Sequence, residues 1–146
     1  MTDEWKEVMA EWLGESAFTG RNSAGGCVQI GSFQGDAGIG PMEMLLLGVA
    51  GCTGMDIVSI LDKKRQKIDK FEVKVRGKRA DSYPKVYTEI EVFYQLWGDN
   101  IDPRAVEQAI KLSEEKYCSA SAMLSAVANI RSDYIIYSLD ESMHVV

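Results

Sequence analysis

The feature that constrains this chain most is an apolar segment of 20 residues, 42–61, which reads MEMLLLGVAGCTGMDIVSIL. It holds 13 apolar residues, one of them Cys52, and three glycines. Pro41 stands just before it, and proline suits the first turn of a helix because its missing N–H is not needed there. The sequence therefore predicts one long helix that begins at Pro41.

The length of this helix would also suit a membrane span. Glu43, Asp56 and the three glycines argue against a span, as does the absence of a second such segment. We therefore expect a central helix of an ordinary domain, buried on most of its sides.

One face of this helix carries almost no side-chain bulk in its first half. Gly48, Gly51, Cys52, Met55 and Ser59 recur at spacings of three and four and so form one stripe. Each interior glycine costs about 1 kcal/mol relative to alanine, so either close backbone packing or chemistry at the thiol must compensate. A second helix from a twin subunit packed on the stripe would produce a symmetric dimer.

The remaining segments predict strands and helices of mixed type. Alternating and β-branched stretches bounded by glycines indicate strands, and Asp102 before Pro103 indicates a capped helix start. The predicted strands are 4–13, a hairpin over 18–31, 70–79, 85–98 and 130–139, and the predicted helices run from 103 to about 118 and over 119–130. This order is typical of an α+β fold, and we assign residues 1–146 to a single domain.

Charge limits the partners of the chain. The net charge is −6 and the pI about 4.8, so we do not expect nucleic acid as a partner. Residues 63–79 nevertheless carry nine basic residues and only two acids. A solvated helix end that runs into a strand explains this segment, and a docking surface for an anionic partner is the alternative.

The cysteines indicate a reducing compartment. Three cysteines without a secretory signal favour the cytoplasm, with the thiols free, catalytic or metal-bound. Cys27, Cys52 and Cys118 show no metal-ligand spacing with His144, the one histidine, so we expect no metal site. A Cys-His or Ser-His-Asp site would have to recruit His144 near the end of the chain, and we do not expect one.

Activation of Cys52 therefore needs a cation from elsewhere. The thiol lies about 16 Å into the helix at 1.5 Å per residue, and the field of a helix N-terminus fades within about one turn. Arg21, near the tip of the predicted hairpin, is the candidate cation, and an exposed turn residue is the alternative reading.

Two motifs carry a resemblance to a known family. GPMEMLLLGVAGCTGMDIVSIL and LSEEKYCSASAML together resemble the OsmC/Ohr family, most closely its YhfA-type branch, over essentially the whole chain. The resemblance implies β-sheets wrapped around two central helices in an intertwined homodimer, with the active sites at the subunit interface. It implies a thiol-dependent hydroperoxide reductase of the oxidative-stress response, without a cofactor. Cys52 would be the peroxidatic thiol and Cys118 the resolving thiol, and a dithiol would reduce their disulfide.

One position departs from the pattern of the peroxide-reducing members. They carry a glutamate directly after the helix-starting proline, where it holds the catalytic arginine, whereas this chain has Met42 there and the acid at Glu43. One step along a helix turns a side chain by about 100°. Glu43 therefore either holds Arg21 in the site or only favours the helix N-terminus.

The departure motivates an alternative function, a non-catalytic dimer that binds a small apolar or thiol ligand. Its pocket could be lined by residues that otherwise belong to the core, namely Met42, Met55, Tyr117 and Met123. Cys27, within GCVQIG, is expected to serve packing.

Overall fold

The computed structural model describes residues 4–139 of the chain. These residues form two compact units, one that ends at Leu45 and one that begins at Leu46, and the boundary falls inside the long helix. The assignment of the whole chain to one domain stays a prediction. The strands are β1 Val8–Gly14, β2 Ala17–Asn22, β3 Cys27–Ile30, β4 Lys70–Arg79, β5 Tyr87–Trp97 and β6 Asn129–Tyr137. The helices are α1 Pro41–Lys63, α2 Pro103–Leu112 and α3 Ser119–Leu124, and a π-helical turn covers Ser113–Tyr117.

The N-terminal unit is an antiparallel sheet in the order β1-β2-β3. Its second hairpin closes between Arg21 and Cys27, which pair in register. The Asn22 side chain fixes the tip because its Oδ1 accepts from the backbone N–H groups of Ala24 and Gly26 at 3.0 and 2.8 Å. The predicted hairpin over 18–31 is confirmed, with Arg21 next to its tip.

The second unit contains a sheet in the order β4-β5-β6, with β5 antiparallel to β4 and parallel to β6. The middle strand β5 supplies much of the core, as its residues Ile90, Tyr94 and Leu96 are fully buried. Helix α1 approaches this sheet closely at Gly54, where an added Cβ would lie 3.5 Å from Val73 and 3.9 Å from Phe71.

Within the single chain, one face of α1 is buried, and the expectation of a helix buried on most sides, which includes a partner subunit, stays a prediction. The buried residues recur at helical spacing: Val49, Thr53, Gly54, Ile57 and Leu61. Leu47, Met55 and Val58 are exposed to 51%, 77% and 48%. The sequence shows that the helix is apolar, but apolarity alone does not indicate what packs against each face.

Helix α1 is also long and apolar enough to cross a membrane, by length and composition only. One such helix is weak support for a span, because the central helix of a soluble protein meets the same criteria. Its contacts with β4 and its hydrogen bond to β5 are those of a helix packed within a folded domain.

The segment before Cys118 is not the continuous α-helix that the sequence predicts. Helix α2 begins as expected, with the Asp102 side chain accepting from the Arg104 N–H at 3.0 Å. It ends at Leu112, and the π-helical turn closes with the Cys118 N–H donating to the Ser113 carbonyl at 2.7 Å. Helix α3 then starts at Ser119 and stops at Leu124, shorter than predicted. The wider turn re-aims the chain so that Cys118 becomes the N-cap of α3.

Candidate functional site

Two cysteines that lie far apart in the sequence meet in the second unit. The sulfurs of Cys52 and Cys118 and a carboxylate oxygen of Asp56 all lie within 4.8 Å of one another. Cys52 sits in the middle of α1 and is half-buried, whereas Cys118 at the start of α3 is buried. The fold thus brings together the two thiols that the family resemblance pairs, while their catalytic roles stay a prediction.

The surroundings of Cys118 keep its thiol protonated. Burial raises the pKa of Cys118, and the neighbouring Cys52 adds to this effect. Ser121 opposes the shift, because its hydroxyl and its backbone N–H both donate to the Cys118 Sγ, at 3.1 and 3.4 Å. The net shift is upward, so Cys118 is suited to attack late in a reaction rather than first.

Asp56 is the site residue that the sequence analysis missed. The available signal was its spacing, because Asp56 follows Cys52 by four residues and therefore shares its helix face. A carboxyl group on an otherwise apolar helix, one turn from a cysteine, indicates a shared site.

Behind Asp56 runs a row of side chains that we call the hydroxyl chain. Ser113 Oγ lies 2.9 Å from Asp56 Oδ2 and 2.8 Å from Thr53 Oγ1. Thr53 Oγ1 lies 2.9 Å from the Tyr94 hydroxyl, which lies 3.0 Å from Glu114 Oε2. Thr53, Tyr94 and Ser113 are fully buried, and burial raises the pKa of Tyr94 far above its ordinary value, so the phenol stays neutral.

Little in the sequence indicates the hydroxyl chain. Its members come from α1, β5 and the π-helical turn, so no spacing rule relates them. Hydroxyl residues inside apolar segments were the one available sign, since buried hydroxyls require partners.

Arg21 and Glu43, the other two predicted catalytic residues, belong to the N-terminal unit. Glu43 Oε1 accepts from the backbone N–H of Gly40 at 2.7 Å, which is the return bond of a helix capping box. This contact matches the second of the two interpretations of Glu43, in which it favours the helix N-terminus. Arg21 is exposed on β2, opposite Met9 and Cys27. A catalytic role for either residue stays a prediction.

Several secondary expectations change. Cys27 is exposed rather than packed. Met55, Tyr117 and Met123, named as possible pocket residues, are exposed to 77%, 51% and 76%. Met55 lines an open surface cavity beside Gly51 and Val58. His144 lies outside the described residues.

The donor atoms at the site also bear on metal binding. Sequence spacing offered no ligand set, yet folding brings together two thiols and a carboxylate, which are donors that zinc accepts. Within residues 4–139 this group has three protein donors, one fewer than a closed structural zinc site.

Comparison with known proteins decides the family. A family model described as OsmC-like protein matches residues 33–133. The chain belongs to the OsmC-like family. It is 34% identical over 128 residues to protein YhfA of Escherichia coli strain K12, covering 88% of this chain and 96% of that protein. The predicted resemblance is confirmed.

Solved structures of the family share the fold. A hypothetical protein from Aquifex aeolicus VF5 is similar at a TM-score of 0.82 and 38% identity, covering 92% of this chain and 98% of that one. The organic hydroperoxide resistance protein OhrB of Bacillus subtilis is similar at a TM-score of 0.62 and 16% identity, covering 90% and 98%. At that identity the likeness to OhrB concerns the fold alone. The α+β architecture predicted from the sequence is thus that of OsmC-like proteins.

Proposed function

We propose that this OsmC-like protein is a thiol-dependent hydroperoxide reductase that uses Cys52 and Cys118. The observation that carries the proposal is the approach of the two sulfurs to within 4.8 Å of each other. OsmC-like relatives include a protein named for organic hydroperoxide resistance, which suggests the class of substrate. An organic hydroperoxide is the proposed oxidant and a dithiol the proposed reductant.

The proposed reaction proceeds in three balanced steps. The Cys52 thiolate attacks the terminal oxygen of ROOH, so an S–O bond forms, the O–O bond breaks, and the alkoxide leaves and takes up a proton. The Cys118 thiol then attacks the sulfur of the Cys52 sulfenic acid, which forms the disulfide and releases water. The external dithiol finally reduces this disulfide and becomes oxidised itself.

Exposure and protonation favour this order of attack. Cys52 is half-buried and can be reached by a substrate, whereas Cys118 is 3% exposed. The raised pKa of Cys118 keeps its thiol neutral, and the thiolate is the form that attacks a peroxide. Cys52 is therefore the better first nucleophile and Cys118 the better resolving thiol.

The proposal includes a homodimer located in the cytoplasm, with Arg21 as the cation that supports the thiolate. The exposed apolar residues of α1, Leu47, Met55 and Val58, support a dimer because such a surface is usually covered by a partner. Gly48 and Gly51 lie beside them with nothing within 4 Å of an added Cβ, which leaves room for a second backbone.

Mass spectrometry of the oxidised protein tests the reaction. We expect one equivalent of an organic hydroperoxide to convert the reduced protein to a Cys52–Cys118 disulfide. In the Cys118→Ser variant, a sulfenic acid trapped by a carbon nucleophile should accumulate at Cys52. A Cys27→Ser variant is the matched control, since it removes an exposed thiol without touching the pair. Unmodified Cys52 in both proteins would exclude the proposal.

A second candidate is a binding protein without turnover, which takes up a small apolar or thiol ligand. A surface cavity of about 910 Å³ in the second unit favours it. Its apolar lining comes from Leu47, Val73, Val75, Val92 and Phe93, and its charged lining from Lys74, Arg76, Glu91, Arg131 and Asp133. A ligand retained in native mass spectra, together with slow alkylation of Cys52 at neutral pH, would favour this candidate over the reductase.

A further inference from the structure

The hydroxyl chain makes four contacts, but its hydroxyl groups bring only three protons. The contacts join Asp56 to Ser113, Ser113 to Thr53, Thr53 to Tyr94 and Tyr94 to Glu114, all between 2.8 and 3.0 Å. Each hydroxyl has one O–H to donate, and an ionised carboxylate has none. If both carboxyls were ionised, one buried contact would set lone pair against lone pair.

One additional proton resolves this conflict. A proton on Asp56 lets Asp56 donate to Ser113, Ser113 to Thr53, Thr53 to Tyr94 and Tyr94 to Glu114, so that all four contacts are hydrogen bonds. A proton on Glu114 satisfies the same contacts in the opposite direction. Water cannot supply the missing proton to the middle of the chain, because Thr53, Tyr94 and Ser113 are fully buried.

We infer that Asp56 and Glu114 share one proton through the hydroxyl chain, and that Asp56 gives this proton to the alkoxide leaving from the hydroperoxide. The inference rests on the proposed function for its second half only. A carboxylate oxygen of Asp56 lies within 4.8 Å of both sulfurs, so a substrate attacked by Cys52 reacts beside this carboxyl group. The alkoxide becomes an alcohol, and Asp56 becomes a carboxylate.

The chain also provides a route to replace the proton. Glu114 is half-buried and lines a surface cavity with Ile110, whereas Asp56 faces the thiols. A proton that arrives at Glu114 can be passed along the hydroxyl chain. Each of the three hydroxyl groups receives one proton from the Glu114 side and donates its own proton toward Asp56, so the transfer leaves a proton on Asp56. None of the hydroxyl residues changes its charge.

The charged groups around each end are defined by the fold. Asp56 faces the thiols of Cys52 and Cys118. Glu114 also accepts from the Ser132 hydroxyl at 2.9 Å. The other titratable side chains of its cavity are Glu107, Lys111, Glu115, Asp133 and Tyr134.

Infrared spectroscopy of the reduced protein tests the shared proton without any peroxide. We expect wild-type protein at neutral pH to show the carbonyl-stretch band of a protonated carboxyl group. Thr53→Val removes one hydroxyl group and two contacts. The two remaining contacts are then satisfied by the two remaining hydroxyl protons, so no carboxyl group needs a proton and the band should vanish. Thr53→Ser retains the hydroxyl and should retain the band. Thr88→Val, the same change at an exposed threonine outside the chain, is the matched control.

Tyr94→Phe is a second way to break the chain and should also abolish the band. It replaces Thr53→Val if that variant fails to fold. A wild-type spectrum without the band would overturn the shared proton, and so would a band that persists in a folded variant with either break.

Reaction rates with a series of alkyl hydroperoxides test the proton transfer itself. With Asp56 donating, the wild-type rate should depend little on the acidity of the alcohol released. Thr53→Val lacks this donation, so its rate should depend steeply on the acidity of the alcohol. For the most basic alkoxide the rate should fall about 10²-fold, which is the lower end of the effect of general acid catalysis. Equal dependence in both proteins would overturn the donation. A wild-type protein that reacts with no hydroperoxide would instead refute the proposed function, while the infrared band still decides the shared proton.

Discussion

At the scale of single residues, the two thiols of the site differ because their surroundings differ. Cys118 is enclosed and receives two hydrogen bonds from Ser121, whereas Cys52 remains accessible on α1. Burial outweighs these hydrogen bonds and raises the pKa of Cys118. An enclosed neutral thiol beside an accessible one suits a division of labour between a resolving and an attacking cysteine.

This enclosure makes the stability of the reduced protein depend on alkaline pH. Cys118 has a raised pKa in the folded state, so its contribution is complete below the ordinary thiol value of 9.0 and is lost as pH rises through the raised value. Tyr94 acts in the same direction above its ordinary value of 10.0. We expect the free energy of unfolding, measured with denaturant under reducing conditions, to fall above about pH 9.

Cys118→Ala is the control for this pH dependence. Without the thiol, the decline should begin at a higher pH, where the raised pKa values of Tyr94 and Tyr134 remain. Identical curves for the variant and the wild type would show that burial of Cys118 does not shift its titration.

At the scale of elements, the start of α1 is stabilised by its own first turn. The Glu43 side chain accepts a hydrogen bond from the Gly40 N–H, and Pro41 occupies the first helical position. We expect Glu43→Ala to lower the free energy of unfolding by about 1 kcal/mol, as is typical for the loss of a cap. Glu43→Gln retains an acceptor oxygen and should lose less than half as much. Chemical denaturation measures both, and equal losses would mean that the carboxylate charge matters rather than the hydrogen bond.

Local signals explain which elements could be predicted. Pro41, the Asp102–Pro103 pair and the glycines of the hairpin over 18–31 act on their immediate neighbours, and the elements they indicate are present. The π-helical turn after Leu112 was not predictable, because one extra residue in a turn leaves no periodic trace in 10 to 15 residues.

The candidate site could likewise be predicted only in part. The pairing of Cys52 with Cys118 came from the family resemblance, whereas Asp56 and the hydroxyl chain depend on contacts between α1, β5 and the π-helical turn. Tyr94 is 41 residues from Thr53 in the sequence, and no pattern within either segment indicates that their hydroxyl groups are in contact. Long-range polar contacts of this kind require the fold.

At the scale of the whole molecule, the exposed face of α1 is the basis for the proposed dimer. Gly51→Leu should abolish the dimer, because a large side chain would separate two closely packed helices, and overpacking costs about 1–3 kcal/mol or more. The single chain should still fold, since an added Cβ at Gly51 meets nothing within 4 Å. Sedimentation equilibrium measures the dissociation constant, and circular dichroism checks the fold.

Gly51→Ala is the matched control and should keep the dimer, because a methyl group adds little bulk. A Gly51→Leu protein with the dissociation constant of the wild type would contradict close packing at this stripe. A wild-type protein that sediments as a monomer would contradict the dimer itself.

The most direct test of the central claim is a count of thiols lost for each hydroperoxide consumed. The measurement uses the reduced Cys27→Ser protein, which retains only Cys52 and Cys118. The account predicts that two thiols disappear for each molecule of organic hydroperoxide reduced to alcohol, and that a dithiol restores both. Thiols that survive an excess of hydroperoxide, or a loss of one thiol per hydroperoxide with no disulfide, would contradict it.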